Sequence, residues 1–220
     1  MVDGAKGTDM SIKQPAAMAA CAVIALSRLA AADIVSIQSL DDQSTDSLGS
    51  FSGSLSYVPS GLTGTLTVSL TNTTDPASMG GYITGFAFNF HSSDPNALLQ
   101  LTNATSPFSE MTDVSCPPFG VFDSGAALGG SWRGGGSPLH GIAVGQTGTF
   151  TFNVNASDAA TLGAADFISD APNRSAFAFV VRFRGFANGG SDKVPGSQVP
   201  APGAIALMGV AGLLAFRRKR

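Results

Sequence analysis

Phenylalanine recurs at every second position in three separate stretches of this chain, and no other feature limits its possible folds so strongly. Phe86, Phe88 and Phe90 alternate with small or polar residues, as do Phe150, Phe152 and Val154, and again Phe177, Phe179, Val181 and Phe183. A period of two places each set on one face of a β-strand. Rows of phenyl rings need apolar surface opposite them, and a second sheet about 10 Å away supplies it. An exposed aromatic platform for sugars is the other use of such a row. Phe favours burial, however, and the polar handles of Tyr and Trp suit a platform better.

Other stretches extend the pattern. Leu66, Val68 and Leu70 share one face with hydroxyls on the other, and residues 52–57 read as the neighbouring strand. Residues 34–37 and 97–101 are short strand candidates, and Pro76 excludes a continuing central strand. Ser157-Asp158 is placed to start one short helix ended by Gly163, with a further turn over 164–168. A long loop is expected around Pro107, Pro117 and Pro118, followed by a glycine-dominated surface loop or set of bulges over 120–141. That loop holds Trp132, the only tryptophan, and Arg133, and is a candidate ligand loop for extracellular polysaccharide. The fold expected is all-β, an antiparallel β-sandwich with one short helix.

Catalytic groups are scarce. The chain has two histidines, His91 and His140, far apart in sequence, and one glutamate, Glu110. Ser137 and His140 lack the Gly-x-Ser-x-Gly frame of a nucleophile elbow, and Gly134-Gly135-Gly136 lacks the Lys-Ser/Thr pair of a phosphate loop. No zinc spacing is present and no cofactor is expected. Asp41, Asp42 and Asp46 offer oxygen ligands for calcium, but without the glycine turn and distal Glu of an EF-hand loop, so a solvated loop is expected. Asp166 and Asp170 match a glycosidase pair in residue type only. Asn-x-Ser/Thr triplets begin at Asn72, Asn103, Asn155 and Asn173. Between Asp33 and Phe216 acids outnumber bases thirteen to five, which argues against nucleic acid as a partner.

The two ends read as export and retention signals. Lys13 supplies a positive start, residues 15–26 an apolar run, and Ala30, Ala31 and Ala32 a cleavage site before Asp33, with Met10 a better start than Met1. Cys21 fits a lipidation box poorly because the apolar run continues to Leu26. Cys116 is then the sole cysteine of the mature chain, so it has no intramolecular partner. At the other end Val199, Pro200, Pro202 and Gly203 precede the uncharged run 204–216, closed by Arg217, Arg218, Lys219 and Arg220. As a helix the run is short for a hydrocarbon core of about 30 Å, and its basic end would stay cytoplasmic. A plain membrane anchor or a buried helix is the alternative.

This order of proline motif, short apolar segment and basic end resembles the PEP-CTERM sorting signal of bacterial envelope proteins. Ala201 stands where that signal usually carries an acid. The resemblance implies processing by an exosortase, passage through the membrane, and a final place at the cell surface or in the extracellular matrix. Residues 82–90, 141–150 and 180–194 resemble a cohesin-like set of exosortase substrates, which implies a cohesin-like or jelly-roll-like sandwich and transfers no catalytic residue. The division expected is a signal peptide over 1–32, an ectodomain over 33–194, a linker over 195–198 and the sorting signal over 199–220.

Overall fold

The structure, a computed structural model, describes residues 1, 32–77, 80–105, 107–171 and 173–200. The expectations for residues 2–31, including Ala30 and the signal helix, lie outside the described residues. So do those for 201–220, with Pro202, Gly203, Arg217, Arg218, Lys219, Arg220 and the C-terminal helix. No helix among the described residues is long and apolar enough to cross a membrane.

Among the described residues ten strands form: β1 (Asp33–Ser39), β2 (Phe51–Ser60), β3 (Thr63–Asn72), β4 (Gly80–Phe88), β5 (Leu98–Ala104), β6 (Phe108–Ser115), β7 (Val121–Leu128), β8 (Thr147–Asn155), β9 (Phe179–Phe186) and β10 (Ser191–Val199). All pair antiparallel in one sheet of order β5-β8-β3-β2-β1-β10-β9-β4-β7-β6. β5 and β6 follow each other in the chain yet occupy the two ends of that order, so the sheet curls until its free edges approach. The edges share no ladder. Instead the Leu101 N–H on β5 donates to Glu110 Oε1 on β6 at 2.9 Å.

The alternating phenylalanines fill the space between the two halves of the curled sheet. Phe86 on β4 meets Phe150 on β8 at 4.7 Å between ring centroids, Phe88 meets Phe152 at 5.5 Å, and Phe51 on β2 meets Phe179 on β9 at 6.0 Å. Each buried ring contributes about 1.5–3 kcal/mol of transfer free energy. Removing one costs more, because a cavity remains. The row does not stay in register to its ends. Phe90 stacks on Phe167 at 5.0 Å at the margin of the core, and Phe177 crosses to the outer face to meet Phe119 at 5.3 Å.

A second apolar layer explains why part of the sheet shows no alternation. The outer face of β4, β7 and β9 carries Ala87, Ala127 and Val180, covered by Cys116, Phe119, Phe122 and Trp132. Strands buried on both faces lose the polar half of the period.

Several expectations need correction. Residues 157–162 form turns rather than a helix: the Asp158 carboxylate accepts from Ser92 and Ser93 instead of capping a helix of its own. The helical segments among the described residues are three 3-10 turns, Asp41–Gln43, Pro138–His140 and Ala164–Ile168. The loops expected around residues 107 and 120 contain β6 and β7. The linker expected at 195–198 lies within β10, and Val199, assigned to the sorting signal, is that strand's last residue. Pro195 is tolerated there because its carbonyl and hydrogen-free nitrogen face the side on which β1 has already ended, where Leu40 N–H donates to Pro195 O at 2.8 Å. Gly196 lets Phe51 pack flush against the strand, since a Cβ would lie 2.8 Å from that ring.

Candidate functional site

Strand register brings both ends of the domain to one pole. Ser36 pairs with Val199 in antiparallel neighbours, so β1 starts and β10 finishes at the same end of the sheet. Asp33 there accepts from the Ala164 N–H at 2.8 Å, and Ala32 and Pro200 are exposed. This end is called the terminal pole; the opposite one is the distal pole.

Aspartates tie the loops of the terminal pole. Asp158 accepts from Ser92 Oγ at 2.6 Å and from the Ser93 N–H at 2.7 Å, while Asp94 accepts from the Ser157 N–H at 2.7 Å. The pair thus clasps the β4–β5 loop to the segment after β8 from both sides. The Ser157 N–H holds the Asp94 carboxyl below its usual range, and the Ser92 hydroxyl does the same for Asp158. Asp166 accepts from the Gly163 N–H at 2.8 Å, and Tyr57 donates its hydroxyl to Ala159 O at 2.8 Å. Arg174 bridges Asp113, at 2.8 Å, and Asp123, and the Asp113 bond raises the guanidinium further above its ordinary value.

A cleft of about 360 Å³ opens at this pole where β5 and β6 part. Its lining includes Phe90, Leu98 and Leu99 together with Thr112, Asp113, Asp123 and Ser124, and the Phe90 N–H donates to Asp123 Oδ2 at 2.9 Å. Ser124 is 2% exposed and its Oγ has no hydrogen-bond partner.

The distal pole is held differently. Asp192, fully buried, accepts from Thr45 Oγ1 and the Asp46 N–H at 3.0 Å each, the Leu48 N–H at 2.8 Å and the Gly49 N–H at 2.9 Å. Burial pushes this carboxyl up, but the donors outweigh it and hold it below the usual range. Asp41, Asp42 and Asp46 are exposed, and no group of three His, Cys, Asp or Glu fit to hold a metal occurs among the described residues. The carboxylate that organises this loop is Asp192, which nothing in its sequence neighbourhood distinguishes.

The expected ligand loop also differs. Trp132 is 3% exposed, so it offers no stacking face. Its carbonyl accepts from the Arg182 guanidinium, which projects outward from β9 beneath the loop and is pushed down by burial. Arg133 alone of the proposed pair is exposed. Cys116 is buried beside them and burial pushes its thiol up, away from nucleophilic use. His91 and His140 are exposed at opposite poles. Asn72 is buried, with Nδ2 donating to Gly81 O and Ile142 O, whereas Asn103, Asn155 and Asn173 are exposed.

No protein-family model, curated protein or solved structure matches this chain.

Proposed function

We propose that this chain is a non-enzymatic exported envelope or matrix protein of a bacterium, sorted through its PEP-CTERM-like tail and processed by an exosortase. One observation carries the reading: Asp33 and Val199 leave from one pole of the ectodomain. An apolar segment before Asp33 and another after Val199 therefore attach to the same face, so the domain would hang from a membrane by that face with the distal pole outward. The strand following Ala32 and the strand preceding Pro200 bring structured domain close to both processing signals. Scattered histidines and carboxylates engaged in tying loops favour a structural or binding role over hydrolysis. The resemblance of residues 82–90, 141–150 and 180–194 to exosortase substrates implies a cohesin-like sandwich.

Intact mass of the protein from medium, envelope and cytoplasm, in strains with and without the exosortase, tests this. Loss of the residues before Asp33 together with exosortase-dependent loss of the basic tail is expected. An unprocessed tail in the membrane fraction of both strains would instead indicate a plain anchor, with the β-domain as a binding module for extracellular polysaccharide.

A further inference from the structure

We propose that the cleft between β5 and β6 at the terminal pole binds a neutral, hydroxyl-rich ligand, one or two hexose units of an oligosaccharide. This goes beyond the sorting reading and does not depend on it.

The inner row of the sheet changes character as it approaches this cleft. On β7 the residues at successive inward positions are Leu128, Ala126 and Ser124; on β6, paired with them, they are Phe108, Glu110 and Thr112. Leu128, Ala126 and Phe108 belong to the main core. Glu110 spans the seam to the Leu101 N–H. One step further, where a continued core would require apolar side chains, stand Ser124 and Thr112. The Ser124 hydroxyl is withdrawn from solvent without a partner, a state that costs free energy unless something at the cleft completes it.

The lining selects the chemistry. Phe90 and Leu99, both packed against the main core, give apolar lining suited to the C–H face of a sugar ring, and Leu98, on the opposite face of β5, is 67% exposed beside them. The rest of the lining holds hydroxyls and carboxylates, which accept from ligand hydroxyls. A cation is disfavoured because Arg174 already engages both Asp113 and Asp123. An anion is disfavoured because Asp94, Asp113 and Asp123 ring the opening. A volume of about 360 Å³ lies at the lower end of ligand cavities, which run to roughly 300–1,000 Å³. That size fits a short saccharide segment rather than a long chain.

The full chain in detergent micelles is titrated calorimetrically with cellotetraose, maltotetraose and mannotetraose, and with tetragalacturonate as the anionic counterpart. Saturable binding of at least one neutral tetrasaccharide and none of tetragalacturonate is expected. Ser124→Ala should weaken that binding by about tenfold. The same variant should unfold at an equal or higher temperature, because an unpartnered buried hydroxyl is gone. Arg133→Ala, at the distal loop, should bind as the unaltered chain does. Absence of saturable binding to all three neutral probes, equal binding of tetragalacturonate, or undiminished affinity in Ser124→Ala would each overturn the proposal.

Discussion

The two poles of this domain solve one problem, that of fixing long loops on a curled sheet, in opposite ways. At the distal pole a single buried carboxylate, Asp192, gathers the N–H groups of Asp46, Leu48 and Gly49 and the Thr45 hydroxyl. At the terminal pole the same work is divided among Asp33, Asp94, Asp123, Asp158 and Asp166, each binding one to three donors nearer the surface. Concentration in a dry site makes each bond strong and the whole set dependent on one residue. Distribution over partly exposed acids gives weaker, redundant ties. The acidic composition of the domain is therefore largely engaged in holding backbone, which leaves few carboxylates to meet around an ion.

The largest expected effect follows from the distal arrangement. Asp192→Ala leaves the buried Gly49 N–H and three part-buried donors without their acceptor and should cost about 3–5 kcal/mol of unfolding free energy, read by urea denaturation. Its sign with pH is fixed by the direction of the shift. A carboxyl held low in the folded state contributes fully above its unfolded value, near about 3.9, and that contribution disappears as pH falls through the lower folded value. Stability of the unaltered chain should therefore fall in this acid range, and Asp192→Asn should start lower and fall less. An acid arm identical in the two would break the contrast between the poles.

A smaller effect is expected from the one fully buried hydroxyl that anchors the terminal pole. Tyr57→Phe keeps the ring on Phe167, 5.0 Å away, but removes the donor to Ala159 O. The loss should be about 1–2 kcal/mol by the same denaturation measurement. A value as large as that of Asp192→Ala would show that the terminal pole, too, hangs on a single contact.

How much of this was legible in the sequence depended on which faces a strand buries. β3, β4, β8 and β9 announced themselves because one face carries Leu66, Val68, Phe86, Phe88, Phe150, Phe152, Phe179 and Val181 at a strict period of two. β6 hid because its two buried residues, Phe108 and Met111, lie an odd number of positions apart and face different cores. β7 hid because both of its faces are covered, by Ala126 on one side and Ala127 on the other, and its Gly and Ala resemble loop composition. β10 contains Pro195, Gly196 and a buried aspartate, each an argument against a strand when read alone. Only the ending of β1 beside Pro195, the approach of Phe51 to Gly196 and the donors around Asp192 reverse those arguments, and all three are tertiary. Trp132 misled for a related reason. A lone tryptophan in a glycine-rich stretch suggests an exposed ligand contact, while here the glycines let the loop fold its ring down over β7 and β9. The cleft had no local signal, since its lining comes from three separate segments, 90–99, 112–113 and 123–124.

The smallest effects should come from the clasp between Asp94 and Asp158, and they test redundancy directly. Asp158→Ala removes the acceptor for Ser92 and Ser93 but leaves the Ser157 N–H on Asp94; Asp94→Ala does the reverse. Each single change should leave the urea midpoint nearly unmoved while hydrogen exchange quickens at the amide it releases, Ser93 in one case and Ser157 in the other. The double variant should lower the midpoint by more than the two single effects together, because the β4–β5 loop then loses both carboxylate ties to the segment after β8 and keeps the His91 N–H bond to Asp166 O and the Phe90–Phe167 stack. Strict additivity would mean that the two carboxylates act independently rather than as a clasp. A global loss from Asp158→Ala alone would mean that the terminal pole is organised like the distal one, around a single indispensable acid.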